Sequence, residues 1–266
     1  MTEPQIRFDD GAAYERMMGS WSGLAGEIFL DWLAPDPGLR WLDVGCGNGA
    51  FTELLVSRCA PAQVQGIDPS EAQLAFARAR PSTHMAQFRQ GDAMLLPFSD
   101  GSFNAAVMAL VIFFVPNPAR GIAEAARVVG PGGTVAAYAW DLFGGGFPLE
   151  PIEAELRALG VTLLELPNPG ASRTEALREL WKNAGLDAVE TRGIAVQRTF
   201  ADFEDLWTIS SSGSSISPTL AAMTLRDLEL LKERVRARLP PDEAGRVICD
   251  ARANAIKGRV RRQLNK

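Results

Sequence analysis

The chain has 266 residues, of which 47% are hydrophobic and 22% charged, with a formal net charge of -5. That length holds one sizeable core, or a main domain with a smaller appendage. An acidic field does not attract nucleic acid or an anionic membrane, so a small or neutral partner suits it better.

The three cysteines, Cys46, Cys59 and Cys249, form no CxxC pair, and His84 is the single histidine. A four-ligand zinc site would need all of them to converge, so no metal is expected. A low, odd cysteine count fits a reducing compartment. Met1-Thr2-Glu3-Pro4 has neither a basic nor an apolar signal region, and a cytoplasmic location is expected. The longest apolar run, 105–115, is too short for a bilayer, which takes roughly 20 residues, and no membrane partner is expected.

In chain order, residues 1–37 read as a helical arm, with Tyr14, Met17, Met18 and Trp21 at helical spacing. Residues 40–44 are a short apolar strand ending in glycines. A helix should follow, with Phe51, Leu54 and Leu55 on one face. Residues 64–68 form a second strand. Ser70 then opens a helix, with Gln73 at the capping-box position. Residues 87–90 are a third strand, ending at Gly91-Asp92. Residues 103–110 are a fourth, almost wholly apolar, as a parallel strand covered on both faces should be. A helix over 119–129 is broken by Gly130-Pro131-Gly132-Gly133, and 134–140 is a fifth strand.

Beyond this, 141–171 is rich in Gly and Pro and reads as an outward loop. Ser172-Arg173-Thr174-Glu175 is a capping box before a helix with Leu177, Leu180, Trp181 and Ala184 on one side, closed by Gly185. Residues 187–197 read as a strand. A Ser/Gly-rich segment, 210–217, serves either as a mobile gate or as a plain loop. A helix carries Leu228, Leu231, Val235 and Leu239, and 252–259 is a last strand. The basic residues from Arg252 to Lys266 read as a solvated terminus rather than an RNA contact.

Alternating strands and helices imply βαβ units and a parallel sheet, whose ligands bind outside the carboxyl ends of the strands. Three elements fall there. In Asp43-x-Gly45-x-Gly47-x-Gly49, the glycines permit positive φ and let the backbone approach a ligand. Asp68, ending the next strand, can accept both hydroxyl protons of a ribose. Asp92, in Gly91-Asp92-Ala93, can accept from an adenine amino group.

These residues resemble a known family. Leu42 to Gly49, Gly66-Ile67-Asp68-Pro69-Ser70, Gly91-Asp92-Ala93 and Arg127 to Gly133 are similar to the successive motifs of class I S-adenosyl-L-methionine-dependent methyltransferases. The small-molecule group containing the ubiquinone/menaquinone biosynthesis methyltransferases is the closest in flavour. The resemblance covers about 39–140 and extends weakly to the arm, Tyr14 to Trp21. It implies a Rossmann-like α/β open sheet of seven strands, mostly parallel with an antiparallel last strand and helices on both faces. It implies S-adenosyl-L-methionine as cofactor. Asp43 and the glycines, Gly45 and Gly47 among them, would hold its methionine end, Asp68 the ribose, and Asp92 with Ala93 the adenine; Cys46, Pro69 and Gln73 are further expected cofactor-site residues. Ala109, Tyr14 and Trp21 complete the expected lining. The expected organisation is an arm or lid (1–37), a core (38–198 plus 251–266) and a helical cap (199–250).

The glycine run alone also satisfies a dinucleotide pattern, Gly45-x-Gly47-x-x-Ala50, with Asp68 at a suitable distance. Asp43 tips the balance, because an acid two residues before the first glycine repels pyrophosphate and suits an ammonium. Cys46 reads as a small turn residue rather than a nucleophile, and His84 as a surface residue. Gln73 completes its capping box or also touches adenine; Tyr14 and Trp21 either pack the arm or close over the cofactor.

Methyl transfer from a sulfonium is an in-line displacement that needs alignment and exclusion of water. A base is required only when the nucleophile must lose a proton. Asp141, after the fifth strand, and Tyr14 are the candidates. No Asn-Pro-Pro-Tyr or Asp-Pro-Pro-Tyr follows the fourth strand, which disfavours methylation of exocyclic amines on nucleobases or glutamine. Phe143, Phe147, Phe200, Phe203 and Trp207 in the variable segments suit an apolar or aromatic acceptor, or else belong to the core. A monomer or homodimer is expected. A binding module without catalysis is the alternative from another class.

Overall fold

The apolar runs become β1 (Arg40–Val44), β2 (Gln63–Asp68), β3 (Ala86–Gln90), β4 (Phe103–Ala109) and β5 (Val129–Trp140). Two longer strands follow, β6 (Asp187–Phe200) and β7 (Val247–Arg259). The computed structural model describes residues 15–212 and 215–262. Among these, one seven-stranded sheet has the order β3-β2-β1-β4-β5-β7-β6. Strands β1 to β5 pair in parallel, and β7 runs antiparallel to both β5 and β6. This is the expected mixed Rossmann-like sheet with its last strand reversed.

The helices are α1 (Ser20–Leu33), α2 (Ala50–Cys59), α3 (Glu71–Ala79), α4 (Pro118–Val128), α5 (Glu150–Ala158), α6 (Thr174–Asn183), α7 (Phe203–Ser211), α8 (Ser217–Ala222) and α9 (Leu225–Arg238). A π-helical turn, Glu15–Gly19, leads into α1. Successive residues 105–108 of β4 and 135–140 of β5 are all buried, which requires cover on both faces of the sheet. Phe51 and Leu55 of α2, Ile122 and Ala125 of α4 and Leu177 and Trp181 of α6 belong to that buried core. Trp181 also donates its indole N–H to the Val135 carbonyl at 2.9 Å, so α6 is fixed in register on β5.

The structure departs from the sequence expectations in five places. The 141–171 segment is not all loop, because α5 lies inside it. Pro151 suggests a breaker, but it occupies the first turn, where its missing N–H costs nothing. The capping box at Ser172 is not made: the Ser172 hydroxyl donates to the Pro169 carbonyl, and Arg173 precedes α6 without a side-chain cap. The second half of the box at Ser70 is also absent. Ser70 Oγ accepts from Gln73 N–H at 3.4 Å, but the Ser70 N–H is taken by Asp68 at 2.8 Å. Strand β5 begins at Val129, with the Gly130–Gly133 stretch as an irregularity between the pairs Phe103–Val129 and Ala105–Thr134. Strand β7 begins at Val247 rather than Arg252, since its first five residues pair with the end of β6.

Candidate functional site

Strand β1 has β2 on one side and β4 on the other, so the strand order reverses there. A crevice opens at the carboxyl ends of the strands at such a point. The glycine turn after β1 occupies it. Gly45 and Gly47 have φ of +73° and +51°. A side chain at Gly45 would press into Val111, whereas a Cβ at Gly47 would meet nothing within 4 Å. Gly45 is therefore fixed by packing, and Gly47 faces open space. The Gly45 and Cys46 N–H groups donate to the Ile67 carbonyl at 2.7 and 3.1 Å, which ties the turn to β2.

Asp68 closes β2 with both carboxylate oxygens engaged by backbone. Oδ2 accepts from Gly47 N–H at 2.9 Å and Oδ1 from Ser70 N–H at 2.8 Å. Each oxygen keeps a second lone pair for a ligand. Burial raises the Asp68 pKa, and the two N–H donors oppose that rise. The Asp68 carbonyl accepts from Gly91 N–H at 3.1 Å, so the third turn is tied to the second. Asp92 itself is exposed, and its Oδ1 accepts from Met94 N–H at 2.8 Å; Ala93 beside it is half-buried. Pro69 is exposed, and Gln73 on α3 is buried.

Asp43 is completely buried beneath the glycine turn. Oδ2 accepts from the Thr52 hydroxyl at 2.6 Å, and Oδ1 has no partner among the described residues. Desolvation pushes its pKa up to about 7, with the Thr52 hydrogen bond opposing and the Asp68 charge adding to the rise. The Cys46 thiol is buried and is held well above its ordinary pKa, first by burial and then by Asp43 and Asp68. It stays protonated, a poor nucleophile.

A second set of residues was not visible in the sequence. Asn48 of the glycine turn donates Nδ2–H to Glu15 of the arm at 2.7 Å. Arg80, just after α3, also pairs with Glu15, donates to the Asn48 carbonyl at 2.7 Å, and pairs with Glu53 of α2 at 2.8 Å. Arm, glycine turn and two helices thus meet at one guanidinium. Nothing in the local sequence around Arg80 marks this meeting.

Next to this crevice lies a cavity of about 660 Å³ at the ends of β4 and β5. Met17 and Met18 of the arm, Leu110, Phe113, Trp140 and Phe147 form much of its apolar wall. Ala109 ends β4, paired with Tyr138. Leu110 follows it with φ +61°, an unusual conformation for leucine that turns the chain out at the cavity edge. Of the aromatic residues singled out in the sequence, Phe143 and Phe147 line this cavity. Phe200 packs with Trp21 at 6.5 Å between ring centroids, and Phe203 stacks on Trp207 at 6.1 Å. Trp21 is buried and lines a separate small hollow with Phe200, Ile152 and Leu206.

Asp141 follows β5, with β4 between that strand and β1. Its Oδ1 accepts from Gly144 N–H at 3.0 Å, and Oδ2 lies 3.9 Å from Arg252 Nε. The side chain is committed to its own turn and to β7. Tyr14 lies outside the described residues, as do residues 213 and 214 of the Ser/Gly-rich segment. His84 is exposed.

Comparison with known proteins matches residues 42–137 to a family model described as a methyltransferase domain. A fatty-acid O-methyltransferase of Mycolicibacterium smegmatis is 33% identical over 154 residues, 58% of this chain and 53% of the relative. A demethylmenaquinone methyltransferase of Desulfitobacterium hafniense is 36% identical over 106 residues, 38% of this chain and 42% of the relative. The chain thus spans about half the length of these curated relatives. The same fold occurs in Haemonchus contortus phosphoethanolamine N-methyltransferase 2, solved with phosphomonomethylethanolamine and S-adenosylhomocysteine. Its TM-score is 0.59 at 19% identity, over 97% of this chain and 62% of that one. The strand–turn units that carry the glycine run, Asp68 and Gly91-Asp92 thus lie within residues 42–137, the stretch that matches the methyltransferase-domain model.

Proposed function

We propose that this chain transfers a methyl group from S-adenosyl-L-methionine to a small acceptor with an apolar or aromatic body. The observation that carries this reading is that Gly47 and Asp68 share one hydrogen bond beneath open space, with the 660 Å³ cavity at the next two strand ends. A pocket of that size and lining is typical of small-molecule sites.

The residues present fit the cofactor. Asp68 has lone pairs left for ribose hydroxyls, and Gly47 leaves room for a ligand against the backbone. Asp43, with Oδ1 unpartnered under the turn and a pKa of about 7, would be drawn into its charged form by a cationic methionine moiety, whereas its charged form opposes a pyrophosphate. Ala93, Pro69 and Gln73 flank the adenosine side, with Asp92 as the acceptor for an amino group. When bound, S-adenosyl-L-methionine supplies a methyl group already activated by its sulfonium charge. The protein's part is to hold the acceptor in line and keep water out.

In this reading residues 1–37 act as a lid, 38–198 with 251–266 as the cofactor core, and 199–250 as a cap beside the acceptor. Glu15, joined to Asn48 and Arg80, holds the lid against the glycine turn. Asp141 supports its turn rather than serving as a base, since both its oxygens face partners. Tyr14 remains the candidate for any proton removal.

Turnover tests the reading: S-adenosylhomocysteine release is followed with alcohols, thiols, amines and carboxylic acids on apolar bodies. Acceptor-dependent release with at least one class is expected. Tight cofactor binding with no release across the panel would replace the enzyme by a binding module.

A further inference from the structure

The acceptor cavity has one charged wall, and its composition is uneven. Glu150 and Glu153 from α5, together with Glu165, line it alongside a single guanidinium, Arg157. That guanidinium is already engaged. Its Nη2 lies 2.7 Å from both Glu150 oxygens, and its Nη1 lies 3.4 Å from Glu153. Glu150 is thus well paired, while Glu153 makes only one long contact. Arg173 stacks on the ring of the lining residue Phe143 at 3.6 Å and is not itself part of the lining. Apart from Thr162 and Ser215, the remaining side chains of the lining are apolar or aromatic, with the Trp140, Phe113 and Phe147 rings among its walls.

We infer that the cavity selects an amphipathic amine: an apolar or aromatic body seated among the rings, with its amino group donating to Glu153. The inference rests on the reading of this cavity as the acceptor site, and it narrows the acceptor to one chemical class. Three carboxylates against one committed guanidinium leave an excess negative charge at the polar end. A carboxylate acceptor would meet that excess and find no open fork of N–H donors. An alcohol could donate to Glu153 but would leave the charge uncompensated. A protonated amine does both, and charge-assisted hydrogen bonds are the stronger ones. Aromatic walls also favour a cation over a neutral or anionic head. Burial raises the Glu153 pKa, as expected for a carboxylate short of partners.

The test uses the full chain saturated with S-adenosylhomocysteine and three probes that differ only at the head: 4-phenylbutylamine, 4-phenylbutanol and 4-phenylbutanoate. Calorimetric titration near neutral pH should rank amine above alcohol above acid, with amine and acid separated by about tenfold or more in Kd. Glu153→Gln should weaken the amine by about tenfold, bring it close to the alcohol, and leave the affinity for S-adenosylhomocysteine unchanged. That unchanged affinity also reports that the variant is folded. Binding of the acid equal to or tighter than the amine would overturn the inference. So would an amine preference that survives Glu153→Gln, or no binding by any of the three. Failure of S-adenosylhomocysteine itself to bind would instead sink the methyltransferase reading, so the two failures are distinguishable.

Discussion

Asp68, at the end of β2, accepts the backbone N–H of Gly47 from the neighbouring turn across 2.9 Å. One carboxylate thereby fixes the turn that frames the crevice and orients its own free lone pairs toward the same space. Its other oxygen holds Ser70 N–H at the start of α3. Asp68→Asn keeps one acceptor oxygen but sets an amide N–H against a backbone N–H. We expect a folded protein whose Kd for S-adenosyl-L-methionine rises by about 10- to 100-fold, as loss of charged hydrogen bonds predicts. Isothermal titration checks this; an unchanged Kd would remove Asp68 from the site.

Gly45 and Gly47 should respond differently to alanine. Both have positive φ, which costs an L-residue about 1–2 kcal/mol. Gly45→Ala also drives a methyl into Val111, adding about 1–3 kcal/mol of overpacking. Combining it with Val111→Ala should cost less than the sum of the two alone. Gly47→Ala meets no protein atom, so it should cost stability only the backbone strain of about 1–2 kcal/mol yet block the cofactor. Denaturant unfolding and cofactor titration on the same samples separate the two effects.

Asp43 makes stability depend on pH. In the folded chain it holds its proton up to about pH 7, while its ordinary value is 3.8. Between those values the folded state binds more protons than the unfolded one, so stability falls as pH rises and levels off above about 7. The full effect is on the order of 4 kcal/mol. Asp68, also shifted upward, adds in the same direction. Cofactor-free Asp43→Asn should therefore lose less stability between pH 4 and pH 7 than the parent. Parallel pH curves for the two proteins would contradict the burial argument.

Arg80 joins the arm to the core. Its side chain is 14% exposed and touches Glu15, Glu53 and the Asn48 carbonyl. Arg80→Ala leaves Glu15 with only Asn48 and should cost about 1–3 kcal/mol. Limited proteolysis should then cut the arm faster than the sheet. Glu15→Gln, at a more exposed position, should change stability by less than about 1 kcal/mol while still speeding arm cleavage. Equal cleavage rates in all three proteins would mean that the arm is held elsewhere.

The parallel half of the fold was legible because each strand is a short apolar run that stops at Gly or Asp. The same strand ends disclosed Asp43, Asp68 and Asp92. What stayed hidden has definite causes. Strand β7 buries Val247, Cys249, Ala251, Ala253 and Ala255 on alternate positions, but small residues give a weak hydropathy signal, and Ile248 sits on the other face. Helix α5 was masked by the Gly and Pro around it, although Ile152 and Leu156 are spaced for one buried face. The Glu15–Asn48–Arg80 cluster joins residues far apart in sequence, and no local pattern records such a meeting. The expected capping box at Ser172 failed because a nearby carbonyl captured the hydroxyl. Trp21 lies on the helical arm as expected and packs against Phe200 of β6, in keeping with the first of the two readings its spacing allowed.

The central claim is that the Gly47–Asp68 crevice is built for S-adenosyl-L-methionine. Calorimetric titration of the full chain with S-adenosyl-L-methionine, S-adenosylhomocysteine and NAD tests it most directly, with Gly47→Ala as the matched control. The account predicts one-to-one binding of the first two ligands, no heat with NAD, and loss of both binding events in Gly47→Ala. Binding of NAD alone, or cofactor binding that Gly47→Ala leaves intact, would contradict it.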